Sequence, residues 1–295
     1  MQHRWILDFA LAAMVLVAVA FLALRHFARN VMRTHPRKSA RTPISLGLDA
    51  TAFSLERERG LVRGWLVHEA PGAAPTVLFV HGWRSHAGDM LPWAEPLVRH
   101  GYHVIVYDAL GHGDSDDSEF TSLRHLREDM DAVLAYARTL PRTAPGIVLF
   151  GHSMGGAAAI LAAAKDAPIR GLVTAGAPTD PLQLTSEWLV SRELPGPLLV
   201  RLLRPFWQRI VREPYSTLRP VHRIGRVSVP VLILHGSEDS QVGTHHARAL
   251  AAANPLARLE MLEGANHVNL PDHPRYEGVL LSFLARAFGS DAPKG

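Results

Sequence analysis

The sequence contains no cysteine, which excludes disulfides, thiol nucleophiles and cysteine-bound metals. It carries no zinc-ligand spacing and no nucleic-acid-binding motif. It also shows no internal repeat and no long low-complexity tract, which removes solenoids and repeat arrays. Charge is sparse as well: Asp, Glu, Lys and Arg make up 20% of the chain and the formal net charge is only +4. The sequence pI of 9.7 therefore reflects a local excess. Arg25, Arg29, Arg33, Arg37, Lys38 and Arg41 fall within one short stretch. Such a cluster points to a membrane surface rather than to a nucleic-acid partner. The 295 residues, 47% apolar, suffice for a globular α/β core.

Trp5 to Leu24 is apolar throughout except for Asp8. As a helix it would span about 30 Å, the thickness of a bilayer's hydrocarbon core. Asp8, in the first turn, reaches the interface. A cleaved signal peptide is the rival reading, because Ala18-Val19-Ala20 resembles an A-x-A cleavage site, and a buried helix is a third. The length of the run and the basic residues immediately after it favour an uncleaved anchor. Only Arg4 precedes the run, so the positive-inside rule puts the carboxy-terminal side in the cytoplasm. The expected organisation is an anchor over 1–33, a basic linker over 34–49, a globular domain over 50–288 and a tail over 289–295.

Beyond the linker, strand-like and helix-like segments alternate. Strands are expected at Ala52–Glu58, Leu61–His68, Thr76–Val80, His103–Tyr107, Ile147–Phe150, Gly171–Ala175, Val231–His235 and Arg258–Leu262. The first two flank Arg59-Gly60 as an antiparallel hairpin. Continuous apolar runs such as Val77–Val80 and Val231–Leu234 fit strands covered on both faces. Helices are expected near 90–99, 122–138, 155–165, 243–253 and 274–288. This alternation predicts a doubly wound, mostly parallel sheet of about eight strands with helices on both faces. Residues 178–228 carry no strand pattern and are too long for a crossover loop, so they read as a small helical cap.

Gly151-His152-Ser153-Met154-Gly155 is a G-x-S-x-G motif. Alone it is a weak signal, but here it follows an apolar strand and opens an alanine-rich helix. A turn this sharp lifts a serine hydroxyl clear of the sheet edge, and the helix terminus behind it favours negative charge. A serine nucleophile needs a base, and the base needs an orienting acid. With 17 histidines, position must decide. Asp239 follows the strand at 231–235 and His267 follows the strand at 258–262, so both lie at carboxyl ends. Ser153, Asp239, His267 is also the chain order expected of such a triad. Glu238 is an alternate acid. His235 reads as a buried strand residue, and His245-His246 as solvated helix surface rather than a metal site.

Residues 50–288 resemble the α/β-hydrolase family, in particular its monoacylglycerol lipase-like and serine aminopeptidase-like branch. The resemblance rests on His81-Gly82-Trp83, on Asp108-Ala109-Leu110-Gly111-His112-Gly113-Asp114-Ser115, and on the elbow and triad above. It implies an α/β-hydrolase fold and oxyanion donors at the backbone amides of Trp83 and Met154. It also implies a bracing role for His81, a shaped turn at 108–115 and no catalytic role for His112. No cofactor or metal is expected. Trp83 departs from glycine-lined His-Gly-Gly-Gly lipases by placing an indole at the oxyanion loop. A serine at the nucleophile position excludes the dehalogenase and epoxide hydrolase activities of relatives that use aspartate there.

The expected reaction is acyl transfer from an ester to water. The anchor and the cap residues Trp188, Leu189, Leu199, Leu202, Phe206 and Trp207 suit a hydrophobic acyl ester such as a monoacylglycerol or lysophospholipid. The same six read equally well as the cap's own core. Thioesterase and serine aminopeptidase activities use the same machinery, the latter with cap acids such as Glu187, Glu193 or Glu213. A non-catalytic binding protein on this fold is the reading from another class. The expected partners are a small acyl ester and, through the amino-terminal helix, membrane lipid.

Overall fold

A computed structural model describes residues 4–34, 38–68, 72–143, 146–165 and 168–293; Arg37 of the basic stretch lies outside them. Eight strands form one sheet in the order β1-β2-β4-β3-β5-β6-β7-β8. β1 (Ala50–Arg57) and β2 (Gly60–Val67) make the antiparallel hairpin, and β2 pairs antiparallel with β4 (His103–Asp108). β3 (Thr76–Val80), β5 (Ile147–His152), β6 (Gly171–Ala175), β7 (Val231–Gly236) and β8 (Ala257–Leu262) continue the sheet in parallel. The continuous apolar runs lie in its centre, where every residue of β3 to β7 is buried.

The two-residue period of a strand divides these runs between two cores. Leu78, Val80, Leu149 and Ile233 pack on one face with α3 (Leu123–Thr139), α4 (Met154–Ala163) and α7 (Thr244–Ala252). Val77, Phe79, Phe150 and Leu234 pack on the other with α2 (Ala87–Arg99) and α8 (Tyr276–Phe288). The boundaries that differ from expectation do so through tertiary partners. β5 continues through Gly151 and His152 because these pair with Thr174 and Ala175 of β6. Helix α2 starts at Ala87 because the distant Asp108 carboxylate accepts the Ala87 N–H at 2.7 Å.

Helix α1 (Arg4–Met32) includes a 25-residue segment, Asp8–Met32, long and apolar enough to cross a membrane. Its apolar side chains project outward: Leu16 is 72% exposed. The last turns behave differently, with Ala28 and Met32 buried in the core. Between β6 and β7 lie α5 (Pro181–Val190), α6 (Gly196–Val211) and three 3₁₀ turns. Asp180 caps α5, accepting the Leu182 N–H at 2.8 Å, and Pro181 fits the first turn. Helix α6 packs on α1, where Trp207 Nε1 donates to the Ala28 carbonyl at 3.0 Å.

Three buried histidines hold the loops at one end of the sheet and are neutral in the fold. Burial pushes His81 down to about 4, and His112 and His152 down to about 3. Each takes up a proton in the unfolded chain below about pH 6.5. The unfolded state then binds more protons than the folded one, so stability falls as pH falls through that window. Urea unfolding at pH 7 and pH 5 is expected to show a loss on the order of 2 kcal/mol for each such histidine. Stability that is flat or rising toward pH 5 would contradict this.

Candidate active site

The carboxyl ends of β3, β5, β7 and β8 each deliver one part of the site, the placement expected of an open parallel sheet. Ser153 stands between β5 and α4 with φ 54° and ψ −125°, a left-handed backbone that costs a non-glycine residue roughly 1–3 kcal/mol. Its N–H donates to the Ala175 carbonyl of β6 at 2.8 Å. The flanking glycines permit the close approach of backbone that fixes this turn. A Cβ at Gly155 would lie 2.4 Å from the His81 carbonyl oxygen, and one at Gly151 would lie 2.4 Å from the Gly155 oxygen. The amino terminus of α4, with its unpaired amides and positive dipole, begins at Met154.

Asp239 and His267 come together. His267 Nδ1 donates to Asp239 Oδ2 at 2.7 Å, and both side chains are almost wholly buried. Asp239 Oδ1 accepts the N–H groups of Gln241 (2.9 Å) and Val242 (2.8 Å). Burial alone would raise the Asp239 carboxyl. The His267 hydrogen bond and charge, with the Val242 amide, outweigh burial and hold it below the ordinary carboxylate range. An ionised carboxylate only accepts, so the proton of a neutral His267 sits on Nδ1 and its Nε2 keeps a lone pair. Gly176 backs the pair: a Cβ there would stand 3.0 Å from the His267 ring.

Ser153 and His267 line a common cavity of about 1280 Å³, with Trp83 and Met154 in the same wall and Asp239 buried behind His267. The loop after β3 runs against the serine, since a Cβ at Gly82 would fall 2.9 Å from Ser153 Cβ. His81 braces this loop: Nδ1 donates to the Gly82 carbonyl at 2.7 Å and Nε2 accepts the Ala109 N–H at 3.1 Å. Segment 108–115 closes on itself, with Asp108 accepting the Asp114 N–H at 2.9 Å and Ser115 Oγ donating to the Asp108 carbonyl at 2.6 Å. His112 is buried against His81 and away from the cavity. Glu238 is exposed.

Three features lay outside the reach of the sequence. His152, inside the motif, donates from Nε2 to the His267 carbonyl at 2.8 Å and so ties the histidine loop to the elbow. Val31 and Met32 of the apolar helix line the cavity, although that segment reads as a separate anchor. Of the six cap residues expected around a substrate, Trp188 and Trp207 line the cavity, whereas Leu189 is buried and Leu202 is exposed.

The expectation for His245-His246 needs correction. His245 is exposed, but the His246 side chain is fully buried, with Thr179 at its Nδ1 and Glu187 of α5 at its Nε2. Their Nε2 atoms donate to the two oxygens of Glu187 at 3.1 and 2.9 Å, and Gln183 Nε2 donates to the same carboxylate at 2.9 Å. These ligand atoms lie within 4.8 Å of one another, close enough to share a metal ion. The hydrogen bonding opposes that use. His246 Nδ1 accepts the Thr179 N–H at 3.2 Å, which keeps the ring proton on Nε2, the atom a metal would need. The cluster ties α5 to α7.

With this geometry the chain is similar to several known proteins. Residues 72–215 match a family described as serine aminopeptidase, S33, a span holding Trp83, Ser153 and Met154 but not Asp239 or His267. The chain is 28% identical over 244 residues to the α/β hydrolase domain-containing protein 17C of Xenopus tropicalis, covering 81% of this chain and 71% of that protein. It is 30% identical over 189 residues to the lysophosphatidylserine lipase of Danio rerio, covering 60% of this chain and 47% of that one. Among solved structures, an esterase of Pyrococcus furiosus superposes with a TM-score of 0.69 at 21% identity, over 87% of this chain and 99% of the other.

Proposed function

We propose that this chain, a serine hydrolase of the α/β-hydrolase family that acts on esters, works through an acyl-enzyme on Ser153. His267 Nε2 takes the hydroxyl proton as Ser153 Oγ attacks the ester carbonyl. Asp239 fixes the tautomer and favours the imidazolium that forms. The amides of Trp83 and Met154 donate to the oxyanion. His267 then protonates the departing alcohol and afterwards activates water, which releases the acid and restores Ser153. One observation carries this reading: the buried 2.7 Å His267–Asp239 hydrogen bond opens onto the same cavity as a serine held at φ 54°.

The substrate class we assign is an ester of a hydrophobic acyl chain, of the monoacylglycerol or lysophospholipid kind. The apolar walls supplied by Leu184, Trp188, Trp207, Val31 and Met32 support it. A thioester would suit the same machinery. The aminopeptidase alternative finds less support, because its acids are engaged or distant. Glu187 is clamped by two histidines, Glu213 is held by Arg127 at 3.0 Å, and Glu193 does not line the cavity. We read 1–33 as anchor, 34–49 as linker and 50–288 as the hydrolase domain with 178–228 as its cap. On charge asymmetry, the hydrolase faces the cytoplasm.

Ser153→Ala is expected to lower hydrolysis of a nitrophenyl ester series by about 10⁴-fold or more without unfolding the chain. Asp239→Asn should cost at least about 100-fold, while Glu238→Gln stays within roughly twofold. A Ser153→Ala protein of wild-type rate would refute the nucleophile, and reversed effects at 238 and 239 would move the acid role.

Orientation is read by protease protection in sealed cells. A hydrolase domain digested from outside, or a mature terminus near Phe21, would overturn the topology.

A further inference from the structure

We infer that the exposed apolar face of α6, continued by the end of α5, lies in the interfacial layer of the leaflet that α1 enters, and that the acyl substrate passes from that leaflet into the cavity. The inference rests on the ester-hydrolase reading and on α1 as an anchor, and it assigns the cap a partner, a phospholipid surface.

The depth of α6 follows from where it meets α1. The Phe21 and Phe206 rings lie 5.2 Å apart. The basic band of α1 begins at Arg25, four residues or about 6 Å farther along the helix axis. Arginines at the end of a spanning helix sit at headgroup level. Phe206 is therefore carried to the hydrocarbon boundary by the same contact that packs α6 on α1.

From Phe206 an apolar stripe runs back along α6 at helical spacing, through Leu202 and Leu198, for about 12 Å. It remains open to solvent among the described residues: Leu202 is 43% and Leu198 54% exposed. Helix α5 packs beside α6; its end and the turn after it add Trp188, Val190 and Leu194, which are likewise exposed. Arg192 stacks on Trp188 at 3.9 Å, an aromatic–cation pair suited to the headgroup zone. Arg201, exposed and three residues on from Leu198, borders this stripe, where anionic headgroups would meet it. An apolar stripe flanked by arginines is the pattern of an interfacial helix.

The route inward starts at the same place. Trp188 and Arg192 line the cavity from the cap, and Val31 and Met32 line it from α1. A lipid ester whose acyl chain lies beside α1 thus reaches Ser153 along apolar walls without crossing bulk water.

The absence of cysteine makes the test direct, since Leu202→Cys provides a unique labelling site in the full chain. With an environment-sensitive fluorophore there, and the chain reconstituted in vesicles of phosphatidylcholine and phosphatidylglycerol, emission should shift to the blue and be quenched by spin-labelled lipid. The same label at Ala285→Cys on α8 should remain water-like. In parallel, the double variant Leu198→Glu, Leu202→Glu should hydrolyse a long-chain ester embedded in vesicles about tenfold more slowly. Its rate on a short, water-soluble ester should stay within roughly twofold of wild type. Water-like emission at position 202, a blue shift that needs a second copy of the chain rather than lipid, or equal losses on the two esters would each overturn the inference. A wild-type chain that cleaves neither ester would instead refute the ester-hydrolase reading, leaving the label to report membrane contact on its own.

Discussion

The constraint on which the rest of the site depends is the backbone turn at Ser153. A β-strand that ends at His152 and a helix that starts at Met154 leave one residue to reverse the chain, and that residue takes φ 54°. The strain is held by contacts on every side. Gly155 lies against the carbonyls of Val80 and His81, Gly151 against Gly155, and the Ser153 amide is bonded to β6. Two further elements are positioned by the same turn. The loop after β3 must pass over the glycines, which brings Gly82 and Trp83 to the serine, and His152 reaches across to hold the loop that bears His267.

Burial then sets the chemistry of the histidines. Those inside the loops, His81, His112 and His152, are neutral donors and acceptors of fixed direction. His267 differs because a buried carboxylate faces its Nδ1, while its other edge meets the cavity. Neighbouring rings of one residue type thus separate into braces and a proposed base, through what each nitrogen faces. The cap follows the same logic. Glu187 is held by hydrogen bonds from the two histidines of α7, and the apolar wall is completed by the end of α1, so α1 and the cavity form one structure.

Much of this was legible in the sequence because it is written in local patterns. Apolar runs such as Val-Leu-Phe-Val at 77–80 mark central strands, and G-x-S-x-G between a strand and an alanine-rich helix marks the elbow. Asp239 and His267 are singled out as candidates by their place after strands, a rule of topology that needs no contact information. What stayed hidden depends on the approach of distant segments. His246 reads as surface until Thr179 and Glu187 are seen to meet its ring, and Ala87 reads as loop until Asp108 caps it. Nothing local in Val31 or Met32 separates a residue that lines a cavity from one that merely ends an anchor.

The central claim is that Ser153 is the one activated serine of this cavity. Ser85, Ser122, Ser191 and Ser240 also line it, so proximity to the cavity alone does not select a nucleophile. A fluorophosphonate reacts with an activated serine and leaves a covalent mark whose position is read by peptide mass mapping. The account predicts a single adduct on the peptide carrying Ser153, formed at a rate that falls with Asp239→Asn. An adduct on Ser85 or Ser240, or none on a folded and active chain, would contradict it.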